Sequence, residues 1–139
     1  MRRTTAACIG MVAAGFTLLS TRLLTAYEIA ERSMQPTLNP GDWVLARRTP
    51  TLVRPGDVVV MEHPERSGFD LVKRVTAGPG EPRPDGAGVL APGEIWIAGD
   101  NTASPSVDSR RLGAVPLALV KARVVLRYRP LPPSPIARR

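Results

Sequence analysis

The chain has 139 residues, with 19 Lys+Arg against 12 Asp+Glu and a formal charge of +7, which fits one domain with tails and excludes a multi-domain scheme. Lys73 and Lys121 are its two lysines, His63 its one histidine and Cys8 its one cysteine; a two-histidine mechanism, an intrachain disulfide and a cysteine-based zinc site are thereby excluded. Fifteen Pro, 12 Gly and 4% aromatics argue against a long helical bundle and for short strands punctuated by turns. Such a basic excess would by itself suggest nucleic acid or an anionic membrane surface. The cations are instead scattered over turns and strand ends, as at Arg47, Arg54, Arg66 and Arg83, with no interleaved aromatics, so nucleic acid is not an expected partner.

From Thr4 to Thr21 there are 18 consecutive residues without a charge, preceded by Arg2 and Arg3; a helix of this length is close to what a bilayer crossing needs. Ala, Gly and Thr dilute Ile9, Val12, Phe16 and Leu18, and Arg22 stands at the outer end, where its charge can snorkel. The expectation is one N-terminal transmembrane helix within an anchor over 1–26, its N-terminus in the cytoplasm. A cleaved secretory signal is the rival reading; Ala26 would serve as the −1 residue, but Leu24 is a poor −3 residue, and the uncleaved anchor is preferred.

Beyond the anchor, β-type runs over 42–46, 57–61, 71–76, 94–98 and 121–128 are bounded by turn residues, notably Pro40-Gly41, Pro55-Gly56 and Pro92-Gly93. The stretch 78–92, rich in Gly, Pro and charge, reads as a loop or short hairpin excursion, and 115–120 as one helical turn. Trp43 and Trp96 suit either the core or an apolar surface near lipid. With Pro at 130, 132, 133 and 135, residues 131–139 are expected to be an extended Pro/Arg-rich tail. The fold class is mainly β, a small antiparallel barrel or sheet over 27–130, with the one transmembrane helix before it.

Three segments place reactive side chains among turn residues: Ser33-Met34-Gln35-Pro36-Thr37-Leu38, Lys73-Arg74-Val75, and Gly99-Asp100-Asn101 with Ser106-Val107-Asp108-Ser109-Arg110. A serine hydroxyl is a poor nucleophile without a base, and a neutral lysine amine serves as one where burial lowers its pKa from about 10.4. Lys73 suits this role, because it follows Phe69, Leu71 and Val72 in a run whose alternate residues should face a core; Lys121 lies near the basic C-terminal run. His63, followed by Pro64, reads as an exposed turn histidine rather than a triad member.

Taken together and in this order, the three segments resemble the type I signal peptidase family, membrane-anchored serine proteases with a Ser-Lys dyad. The resemblance spans 29–116. It implies Ser33 as nucleophile, Lys73 as general base, Ser106 orienting the lysine amine, and Asp108 with Arg110 as a supporting ion pair; Met34 and Pro36 flank the substrate. It further implies removal of signal peptides from exported preproteins after small side chains at −1 and −3, the substrate binding as an added β-strand. No cofactor or metal is implied. The enzyme would be a single-pass protein of the cell membrane, in contact with lipid, with its catalytic domain on the extracytoplasmic side.

Two departures stand out. Family members often carry Ser or Gly two residues before the nucleophile; here that residue is Glu31, whose carboxylate would repel a developing oxyanion and leaves the Ser33 backbone N–H as the nameable donor. The large extra β domain of some bacterial members is missing, with 78–92 in its place. The short core, with 56–60, His63-Pro64 and 127–130, also resembles the maturation proteases that trim the N-terminal extension of nickel superoxide dismutase. A third reading, supported by Glu31 alone, is a catalytically silent membrane-anchored peptide-binding protein. A self-cleaving repressor has no room for a DNA-binding domain before Ser33.

Overall fold

The computed structural model describes residues 23–48 and 53–139. The apolar stretch 4–21 expected to cross the membrane lies outside them; among the described residues no helix is long and apolar enough to do so. In chain order the elements are β1 (Leu24–Glu28), β2 (Trp43–Arg47), β3 (Val58–His63), β4 (Arg66–Ala77), β5 (Glu94–Ala98), a one-turn helix α1 (Ser109–Leu112), β6 (Val115–Pro116), a 3-10 turn Leu117–Leu119, β7 (Val120–Arg129) and β8 (Ser134–Pro135). The strands follow the order β1-β2-β7-β3-β4-β5-β6, with β8 beside β7, and every pairing is antiparallel. The expected mainly-β, antiparallel architecture is thus present as an open sheet, not a closed barrel.

β3 lies between β7 and β4. Its unbroken run Val58-Val59-Val60-Met61 is what a strand buried on both faces requires, since successive side chains point to opposite sides. Val58 and Val60 join one apolar cluster with Val44, Ala122 and Val124, while Val59 and Met61 join a second with Leu71, Val75, Ile95 and Ile97. β3 and β4 are in register with Val59 opposite Lys73 and Met61 opposite Leu71. Opposite residues share a face, so the strand carrying Lys73 sends that side chain toward the second cluster.

Between β1 and β2 the chain makes the loop that bears Ser33. The Ile29 N–H donates to the Asp42 carbonyl (2.8 Å) and the Gly41 N–H to the Ile29 carbonyl (2.7 Å), closing the loop at its neck; Gly41 supplies the φ of +88° that the Pro-Gly turn needs. Met34 and Leu38, four residues apart and joined by a backbone bond from the Leu38 N–H to the Met34 carbonyl (2.9 Å), are buried in the first cluster. Together with Ile29 in the same cluster, these apolar side chains pin the loop to the sheet.

The structure departs from the sequence expectations in four places. Leu24, Thr25 and Ala26, assigned to the anchor, are in β1 and pair with Arg47, Ala46 and Leu45. β4 begins at Arg66 instead of 71, its first half projecting beyond the core as a hairpin with β3. Phe69 there is 53% exposed, its ring covered by the Arg66 guanidinium 4.0 Å from the centroid. His63 is buried, its Nδ1 accepting from the Glu65 N–H (3.0 Å), which ties it into a tight turn. The C-terminal tail packs on the body, because two buried charged groups need partners: Arg138 donates to Asp57 (2.6 Å) and Arg74 to the Ala137 carbonyl (3.0 Å). Residues 78–92 are a hairpin excursion with a Pro82–Val89 bridge, and its Leu90 is buried against Trp96 and Ala77. Trp96 is therefore core, whereas Trp43 is half-buried and meets Tyr128 edge-on.

Leu38 is fully buried, and Leu38→Ala is expected to cost about 2–5 kcal/mol of unfolding free energy, measured by denaturant titration. A loss below about 1 kcal/mol would mean that the loop is held by something other than this side chain.

Candidate active site

Ser33 and Lys73 come from different elements, the β1–β2 loop and the middle of β4, and their side chains meet. Lys73 Nζ lies 2.7 Å from Ser33 Oγ, with Lys73 1% and Ser33 5% exposed. The face of the sheet that holds Lys73 is apolar, with Val59 opposite it and Leu71 and Val75 two residues to either side, all buried. Burial pushes the Lys73 amine below its usual pKa; Glu31 and Asp108 pull partly the other way, and Arg110 adds to the lowering.

A second layer fixes how the two segments approach. The guanidinium of Arg74, the residue after Lys73, donates to both carboxylate oxygens of Asp100 (2.8 and 2.7 Å) and to the Gly56 carbonyl (2.7 Å). Asp100 Oδ2, one of the two oxygens that Arg74 reaches, also accepts from the hydroxyl of Thr37 (2.5 Å), four residues after Ser33. Burial opposes the Asp100 carboxylate, but the bonds from Arg74 and Thr37 outweigh it and hold its pKa below the usual range. Asn101 clamps the loop backbone directly, its N–H donating to the Ser33 carbonyl (2.9 Å) and its side-chain amide to the Arg32 carbonyl (3.0 Å). Thr37, Arg74, Asp100 and Asn101 thus join all three sequence segments. Sequence reasoning passed over their roles because turn residues and surface-type charges give no sign of pairing across 26 to 63 positions of chain.

Asp108 and Arg110 form the expected ion pair (2.6 Å). Asp108 also caps α1 through the Arg110 N–H (3.1 Å) and accepts from the Gly99 N–H (3.0 Å). Burial disfavours its charge, yet these donors keep its pKa below the usual carboxylate range. Gly99 is the close-approach point: a Cβ there would stand 2.5 Å from the Ser33 carbonyl oxygen and 3.2 Å from Ser106 Oγ. Ser106 is therefore near the Ser33 backbone, but its buried hydroxyl has no hydrogen-bond partner, and no bond joins it to Lys73.

A groove of about 260 Å³ reaches the pair, lined by residues 27–31 and 69–73 together with Ser33, Met34 and Val60. Pro36 is exposed and outside this lining. Over residues 66–73, β4 is paired only with β3 among the described residues, so its outer edge offers free backbone donors and acceptors along the groove. No group of acidic, histidine and cysteine side chains suited to a metal occurs among the described residues.

A hydroxyl against a buried lysine, beside a strand edge of an open antiparallel sheet, is compatible with a signal peptidase-like hydrolase, and the comparisons with known proteins give that class. The family model described as "Signal peptidase, peptidase S26" matches residues 2–83, and the chain belongs to that family. The match includes Ser33 and Lys73 and ends before the third segment. Mitochondrial inner membrane protease subunit 1 of Schizosaccharomyces pombe is 40% identical over 111 residues, 72% of this chain and 70% of the relative. The subunit 1 of Xenopus tropicalis is 32% identical over 114 residues, 71% of this chain and 65% of the relative. Signal peptidase I of Buchnera aphidicola is 29% identical over 82 residues, 46% of this chain and 26% of the relative.

Two outcomes follow from this geometry. Gly99→Ala should lower kcat/KM at least about tenfold and stability by about 1–3 kcal/mol, because the Ser33 carbonyl must move; unchanged kinetics would show that the close approach does not matter. Lys73 is protonated in the unfolded chain up to about pH 10.4, while burial lowers its folded pKa, so the fold is penalised below the folded value and relieved as pH rises toward 10.4. The double variant Ser33→Ala/Lys73→Met, which leaves no unpaired hydroxyl, should raise Tm at neutral pH, with the gain shrinking in alkali; a lower Tm at neutral pH contradicts this.

Proposed function

We propose that this chain is a membrane-anchored serine endopeptidase that removes N-terminal signal segments from precursor proteins, with Ser33 as nucleophile and Lys73 as general base. The observation that carries the reading is the 2.7 Å approach of a buried amine to a buried hydroxyl. The neutral amine takes the Ser33 proton as Oγ attacks the peptide carbonyl. The resulting ammonium returns a proton to the leaving nitrogen, giving an ester and a departing product amine; the regenerated neutral Lys73 amine then takes a proton from water as the water attacks the ester and returns it to Ser33 Oγ, releasing the acid. The Ser33 N–H serves the oxyanion. Asp108 and Arg110 hold the segment that carries Ser106, and the third segment as a whole supports the Ser33 loop.

The substrate lies extended in the groove, adding a strand to the free edge of β4 so that main-chain bonds give affinity and alternate side chains give selectivity. Small side chains at −1 and −3 are the expected selection, and the buried Met34 is among the residues that line the groove. The names of the inner membrane relatives support action at a membrane, where a signal segment leaves the bilayer.

Ser33→Ala and Lys73→Ala should each lower cleavage of a membrane-bound precursor with an Ala-x-Ala site by on the order of 10⁴-fold or more; undiminished turnover in either variant rejects the dyad. Because the active base is the neutral amine, kcat/KM should rise with pH through the lowered Lys73 pKa and level off below about 10.4. A rate still climbing at the ordinary lysine value would mean that the amine is not desolvated during the reaction.

A further inference from the structure

The groove reverses the charge balance of the molecule. In a chain of net charge +7, the charged-type side chains lining it are Glu28, Glu31 and Asp70, with Lys73 and no arginine. In the dyad reading Lys73 reacts as the neutral amine. Asp70 is held by Lys121 (2.7 Å), so its charge is already answered. Glu28 and Glu31 are exposed and have no ion-pair or hydrogen-bond partner for their side chains among the described residues. Glu31 stands two residues before Ser33 and lines the same groove as Ser33 and Lys73; its charge favours the Lys73 ammonium.

This arrangement has a cost unless the substrate answers it. An unpaired carboxylate beside a developing oxyanion raises the barrier, and a peptide strand laid along the β4 edge removes water from around that carboxylate, strengthening its field. A cationic side chain on the substrate would neutralise Glu31 at the moment the oxyanion forms. We infer that Glu31, with Glu28 further along the groove, is a specificity-determining residue that selects substrates bearing a lysine or arginine close to the scissile bond. This rests on the dyad reading above and adds the substrate class to it. The selection acts on kcat as well as KM, because the benefit is greatest in the transition state.

The test uses the full chain in detergent micelles and peptides with Ala at −1 and −3, scanning Lys, Ala and Glu through the other positions from −5 to +2. In the wild type, Lys at one or more positions should exceed Glu by about three- to tenfold in kcat/KM, and the ratio should fall as salt screens the pair. Glu31→Gln should flatten the ratio and Glu31→Lys invert it, with Glu28→Gln having the smaller effect. A wild-type ratio of one at every position, or a Glu31→Lys enzyme with the wild-type preference, overturns the inference. Cleavage of the all-Ala peptide that is lost in Ser33→Ala leaves the protease reading standing even then, whereas no cleavage of any peptide by the wild type rejects both.

Discussion

Burial of one amine organises this molecule. Taking a lysine out of water disfavours its ammonium form, and Lys73 is 1% exposed on a face shared with Val59, Leu71 and Val75. Among the described residues, the hydrogen bond left to its nitrogen is the one to the Ser33 hydroxyl at 2.7 Å. In the reading proposed here, a fold that accepts this desolvation gives up stability for an amine whose pKa is lowered, a trade met repeatedly at functional sites. The rest of the structure maintains the condition: β3 dry on both sides, Met34 and Leu38 pinning the loop, and the Arg74–Asp100–Thr37 chain fixing its distance from β4.

The support is built differently from the reacting pair. Lys73 is uncharged in the reading proposed here, while its neighbour Arg74 stays charged and is paired with Asp100. Adjacent residues on a strand face opposite sides. One position therefore supplies a desolvated amine and the next a cation bound to a carboxylate and two carbonyls. The C-terminal residues share in this arrangement, since the Ala137 carbonyl is one of those acceptors and Arg138 covers the buried Asp57.

The strands bounded by Pro-Gly turns were legible in the sequence because turn chemistry and alternation are local signals; β2, β3, β5 and β7 fall within about two residues of their expected places. β1 was not, because Leu24–Glu28 follows the apolar stretch with no turn residue to mark a change of structure. The outer half of β4 was also missed, since Arg66-Ser67-Gly68 reads as a loop and only pairing with β3 makes it a strand. Within the candidate site, motif resemblance singled out Ser33, Lys73, Asp108 and Arg110, and the structure brings the first two and the last two into contact. The Arg74–Asp100–Thr37 chain depends on contacts between distant segments that no local pattern encodes. Ser106 was expected to orient the lysine, and its hydroxyl here has no hydrogen-bond partner.

The central claim concerns the charge on a single nitrogen, and the composition makes it directly observable, because Lys73 and Lys121 are the two lysines of the chain. Lysine labelled with ¹⁵N at Nζ should give two titrating signals. Lys121, hydrogen-bonded to Asp70 and paired with Glu62, should titrate above the ordinary lysine value, and Lys73 below it. Two signals that titrate together, at or above about 10.4, would contradict the account.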